Sequence, residues 1–162
     1  MRMNRISSLV VGSAVILAAA SASAQGPMPY GPPITLAQAK KVMADAEAEA
    51  MKNKWAVVIT ILDSGGNVVM VQRLDNAQFG SIAVSKDKAF SAVAFRRPTK
   101  VFQDGLAKGG PNMRLLQLSG ASTLEGGIPI VADGKVVGGI GVSGATGEQD
   151  AQVAKAGADS VK

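Results

Sequence analysis

Cysteine and histidine are both absent from the 162 residues of this chain. Without cysteine there is no disulfide, and packing alone must hold the fold. The double absence also removes much of catalytic chemistry. There is no Cys nucleophile, no Ser-His-Asp triad, no imidazole base, and no His/Cys zinc or copper site. Aromatic residues are few. They are Tyr30, Trp55, Phe79, Phe90, Phe95 and Phe102, and none alternates with the basic residues. A formal charge of +5 is mild. Without clustered charge on aromatic platforms it points away from nucleic acid.

What is present begins with a secretory signal. Arg2 and Arg5 form a positive start, Leu9 to Ala20 an apolar run too short to span a bilayer comfortably, and Ala22-Ser23-Ala24 a small-x-small cleavage site. Cleavage after residue 24 leaves Gln25 as the new terminus and lowers the formal charge to +3, because Arg2 and Arg5 go and no acid goes with them. The expected location is periplasmic or secreted, with no membrane contact after cleavage. Residues 25–34 are rich in Pro and Gly and read as a mobile leader. A single domain is expected over 35–162.

Within that domain Thr35-Leu36-Ala37-Gln38 is a capping box, and a helix follows to about Asn53. Trp55–Leu62 and Val68–Arg73 flank the turn residues Asp63-Ser64-Gly65-Gly66-Asn67, which predicts a β-hairpin. A second helix is expected from Ser81 to Arg97, stopped by Pro98, with apolar residues almost all round. Such a helix is usually covered on two sides, here by the sheet and by a second subunit. A short helix over 99–107, an undecided strand or turn at 115–118, and a second hairpin about Asp133-Gly134 come next. Thr146-Gly147-Glu148-Gln149 opens a final helix. Two hairpins joined by helices imply an α/β domain of the α+β kind, with a mainly antiparallel sheet.

Several of these segments together resemble the GlcG/HbpS-like family, also called the DUF336 or haem-degrading domain. They are Ile61-Leu62-Asp63-Ser64-Gly65-Gly66-Asn67, Arg73-Leu74-Asp75, Lys88-Ala89, Arg97-Pro98-Thr99, Gly126-Gly127-Ile128-Pro129-Ile130 and Gly139-Ile140-Gly141-Val142-Ser143-Gly144. The resemblance spans about residues 35–161. It implies a profilin-like fold with a five-stranded sheet between helices, assembly into a homo-oligomer, and haem as a possible ligand.

Haem iron would have to accept Met, Lys, Tyr or hydroxyl oxygen here. Met113 borders a Gly/Pro-rich stretch beside Arg114, whereas Met70 alternates within a strand as core. Seven cations lie between Lys86 and Arg114, opposed by Asp87 and Asp104. They would attract haem propionates or another organic anion, and Arg suits bidentate contact. The ligand-binding candidates are therefore Arg73, Lys88, Arg97, Met113 and Arg114. Lys88 falls among Val84, Ala92 and Phe95 on the helical wheel, so it reaches water, pairs with an acid such as Asp63 or Asp75, or is functional. No spacing suggests a metal site.

The run Gly139–Gly144 also fits G-x-G-x-x-G, but its strand arrives from a hairpin and not a βαβ unit, which argues against a dinucleotide. The composition is compatible with a binding protein for haem or a related anionic molecule. It is also compatible with a metal-independent enzyme using Lys88 or an Arg/Asp pair on a small organic acid.

Overall fold

The computed structural model describes residues 27–161, so the expected signal peptide at 1–24 lies outside the described residues. Element order is α1 (Leu36–Asn53), β1 (Val58–Asp63), β2 (Val68–Arg73), α2 (Ser81–Phe95), α3 (Lys100–Ala107), a 3-10 turn (Gly110–Gln117), β3 (Gly127–Ala132), β4 (Lys135–Ser143) and α4 (Gly147–Ala158). No helix among the described residues is long and apolar enough to cross a membrane.

Both capping boxes form. The Thr35 hydroxyl accepts from the Gln38 N–H and the Thr146 hydroxyl from the Gln149 N–H, while each Gln side chain accepts from the cap residue's backbone. The second hairpin turns through Asp133 (φ 49°) and Gly134 (φ 71°), the paired left-handed residues of a type I′ turn. In the first hairpin the Asp63 carboxylate accepts from the backbone N–H of Gly65 and of Asn67 and from the Asn67 side chain. Desolvation opposes its ionisation, yet these donors together hold the Asp63 carboxyl below its ordinary value.

The sheet runs β2-β1-β4-β3 and every pairing is antiparallel. It has four strands, not the expected five. The segment containing Leu115–Leu118 winds instead into the 3-10 turn, entered through Gly109 and Gly110 at positive φ and through Pro111, which has no N–H to give a strand ladder. Part of the expected mobile leader is laid beside β4, beyond the end of β1. Tyr30 makes a parallel bridge to Val136, Gly31 N–H donates to Val136 O, and Val136 N–H donates to Pro29 O. The Tyr30 hydroxyl donates to the carbonyls of Val93 and Ala94 at the end of α2, and the Arg96 guanidinium lies 5.1 Å from its ring centre.

Alternation along the strands sorts side chains to two different helical layers. Ile59, Ile61, Ile140 and Val142 form one core with Val42, Met43 and Ala46 of α1 and with Val153 and Ala154 of α4. On the opposite face Thr60 and Leu62 meet α2, with Leu62 packed on Ala89 and Val93. Here the strand residues are small because the helix backbone is so close. A Cβ on Gly141 would lie 2.0 Å from the Ser85 carbonyl oxygen, and one on Gly127 2.3 Å from that of Lys88.

This proximity decides which face of α2 is buried. Its buried face is Ser81, Ser85, Lys88, Ala89, Ser91, Ala92 and Val93, while Ile82 and Phe90 stand at the surface. A sheet floored by glycine has room for serine and alanine, not isoleucine. The hydroxyls pair across the interface, Thr60 with Ser85 at 2.8 Å and Ser143 with Ser81 at 3.1 Å.

Candidate functional site

Lys88 is carried by the buried face of α2 and is only 3% exposed. Its ammonium donates to the Asp150 carboxylate at 2.7 Å and to the Val142 carbonyl at 2.8 Å. The partner is thus Asp150, not Asp63 or Asp75. Asp63 is used by its own turn, and Asp75 follows β2 at the far edge of the sheet, whereas α4 brings its first turn directly over β4. Asp150 also accepts from the Ala145 N–H at 3.0 Å. Burial pushes the Asp150 carboxyl above its ordinary value, against the pull of Lys88 and of the backbone donors. A Cβ on Gly126 would come within 2.9 Å of the Lys88 nitrogen, so this glycine lies against the ammonium and helps shut it from solvent.

The other four expected ligand residues are dispersed, and no hydrogen bond or ion pair joins any two of the five among the described residues. Arg97 is exposed; its Nε donates to the Phe95 carbonyl and its guanidinium lies 6.0 Å from the Phe102 ring centre. Met113 and Arg114 are exposed on the 3-10 turn. Arg73 is exposed at the end of β2. The cationic stretch from Lys86 to Arg114 likewise does not converge. Lys88 turns inward, Arg96 reaches the leader, and Lys100 bonds Asp104 at 2.9 Å. That hydrogen bond holds the Lys100 ammonium above its ordinary value.

Arg73 does line a cleft of about 500 Å³ between the end of α1 and the end of β2. Met51, Lys54 and Trp55 form its α1 side, and Gln72, Arg73 and Asp75 its β2 side. Lys54 is the left-handed residue (φ 59°) that closes α1 and so turns the chain to present Trp55. Neither Arg73 nor Lys54 is in an ion pair among the described residues. The cleft therefore combines an indole, a thioether and two cations with two carboxylates, Glu47 and Asp75, which are likewise in no ion pair among the described residues. Sequence reading had Arg73 but not Trp55 or Lys54. The missing signal is the adjacency of the end of α1 to the end of β2, which is tertiary.

A second cleft, of about 340 Å³, lies between α3 and α4. Its floor is Gly126, Gly127 and Ile128, and its sides include Pro98, Lys100, Glu125, Glu148, Ala151 and Lys155. Glu125 is 6% exposed. Its Oε2 accepts from the Gln103 amide at 3.3 Å and lies 3.6 Å from the Lys100 nitrogen.

A family model described as haem degrading protein HbpS-like matches residues 34–159. Protein GlcG of Escherichia coli K12 is 40% identical over 105 residues, 65% of this chain and 77% of that protein. The crystal structure of a Streptomyces reticuli HbpS double mutant superposes with a TM-score of 0.74 at 32% identity, covering 94% of this chain and 99% of that one. The structure of a PduOC–haem complex gives a TM-score of 0.72 over 80% of this chain and 96% of the other. At 24% identity that last likeness is one of fold.

Proposed function

The chain belongs to the HbpS-like family, and on that premise we propose that it is an exported, homo-oligomeric binding protein for haem or a related anionic small molecule. The profilin-like arrangement that the resemblance implies would serve as a rigid frame for the cleft between α1 and β2. The observation that carries this reading is the meeting of Trp55, Met51, Lys54 and Arg73 on that one cleft. A flat apolar ligand finds an aromatic face in Trp55 and carboxylate partners in Arg73 and Lys54, and a guanidinium can hold a carboxylate bidentately. Haem in a fold-related protein, the PduOC–haem complex, lends support.

The donor set fits haem without imidazole. Met51, 62% exposed on the last turns of α1, offers a thioether, a recognised axial ligand to haem iron. When bound, haem would supply a visible chromophore and a redox-active iron. Lys88 gives the alternative enzyme reading no support, since its ammonium is held by Asp150 and closed from solvent.

Titration of the mature protein with ferric haem tests the proposal. A saturable Soret change is expected, weakened roughly tenfold when Arg73 and Lys54 are both changed to Gln, which corresponds to about 1.4 kcal/mol. Met51→Leu should alter the spectrum more than the affinity, whereas Arg97→Gln and Met113→Leu should alter neither. Unsaturable changes, or variants at Arg73 and Lys54 that bind as the parent does, would overturn it. Export is checked separately by sequencing the N-terminus of periplasmic material, where Gln25 is expected.

A further inference from the structure

We propose that the outer face of α2 is a contact between two copies of the chain, packed antiparallel about a two-fold axis that passes between Lys86 and Asp87. The proposal specifies one interface of the assembly named above and rests on that part of the reading, not on the ligand. One face of α2 lies on the sheet. The opposite face carries large apolar side chains where water alone would favour polar ones. Phe79, just before the helix, is 81% exposed, Ile82 43% and Phe90 42%. At about 100° per residue these three share an arc of about 140° with Ala83, Lys86 and Asp87. Phe90 is fixed before any partner arrives. A Cβ on Gly120 would lie 2.8 Å from its ring and one on Gly66 3.2 Å, so the flanking turns close on the ring at two glycines. Beside it runs a cleft of about 470 Å³ whose lining includes Val84, Asp87 and Leu124.

The order of charges along this face identifies the occupant. Lys86 and Asp87 sit between the apolar positions, exposed and in no ion pair among the described residues. In a two-fold contact the same patch serves both copies, so it must complement itself. With the axis between positions 86 and 87, Lys86 faces Asp87 of the partner subunit, and Asp87 faces the partner's Lys86. The same operation sets Phe90 against the partner's Ala83, a residue small enough to admit the ring. Ile82 of the partner subunit then falls beside the cleft. A crossing near the common ridge angle of about −50° would confine the contact to these central positions. The face is thus complementary to a second copy of itself in charge and in size.

Sedimentation velocity of the mature protein and its charge variants tests the interface. Lys86→Glu opposes acids across the axis and Asp87→Lys opposes bases, so each should raise the dissociation constant of this contact at least tenfold. Mixing the two variants one to one should restore association, because a mixed pair regains both opposite-charge contacts. The double variant Lys86→Glu, Asp87→Lys should associate as the parent does, and Phe90→Ala should weaken the contact at least tenfold. An oligomeric parent whose charge variants associate equally well, or variants that mixing does not rescue, would overturn this interface and leave the assembly standing. A monomeric parent would overturn both. Haem titration of the same samples reports on the α1–β2 cleft alone. An unsaturable haem response beside a rescued mixture would therefore overturn the ligand and uphold the interface.

Discussion

Lys88 of α2 and Asp150 of α4, 62 positions apart in sequence, meet at 2.7 Å with each side chain 3% exposed. They clamp the two helical layers together at the end of the inner strand β4, because the same ammonium also holds the Val142 carbonyl. Breaking such a pair from one side leaves an uncompensated buried charge. Lys88→Met or Asp150→Leu should each lower unfolding stability by about 3–5 kcal/mol. The double variant Lys88→Met, Asp150→Leu should recover much of that loss. Urea denaturation of the four proteins closes the cycle, and additive losses would show that the two residues are not coupled.

Gly141 faces the backbone of α2 so closely that a methyl group has nowhere to go, its position being 2.0 Å from the Ser85 carbonyl oxygen. Gly141→Ala should cost at least about 3 kcal/mol, at the upper end of overpacking effects, because the obstacle is backbone. Hydrogen exchange should rise along α2 before it rises in α1. Gly134→Ala is a different case. Nothing lies near its Cβ, so the cost there is confined to the left-handed backbone at φ 71°.

Tyr30 supplies a hydroxyl whose one proton is shared between two carbonyls at the end of α2. Tyr30→Phe keeps the ring under Arg96 and removes only those bonds, so about 1 kcal/mol is expected. Faster exchange should be confined to the leader and the last turn of α2. A uniform loss of protection would contradict the assignment.

Asp63 contributes to the pH dependence. Its folded value lies below the ordinary 3.8, so the folded state binds the proton less well than the unfolded chain. Its contribution is complete above that ordinary value and is lost as pH falls through the lower, folded one. Asp63→Asn keeps an acceptor for the Gly65 and Asn67 N–H groups but cannot titrate. Its melting temperature should therefore decline less steeply in acid than that of the parent.

Where local chemistry decides the structure, the sequence was sufficient to read it. The Thr35/Gln38 and Thr146/Gln149 boxes start their helices at the expected residues, and Asp133-Gly134 makes the expected turn. The orientation of α2 was not legible, because apolar residues lie almost all round the helix and do not single out the face that the glycine floor admits. The partner of Lys88 was hidden for the same reason: it depends on where α4 crosses β4. Of the five expected ligand residues, Arg73 alone lines the α1–β2 cleft, whose other wall comes from a helix end with no sequence signature.

The bridge between Tyr30 and Val136 also constrains the order of folding events. The leader cannot dock until β4 exists, and β4 is made near the end of synthesis. The earliest residues of the described chain are therefore among the last to be fixed, closing a loop of more than a hundred positions. Through nearly all of translation Pro29, Tyr30 and Gly31 therefore lack their partner in the sheet, Val136.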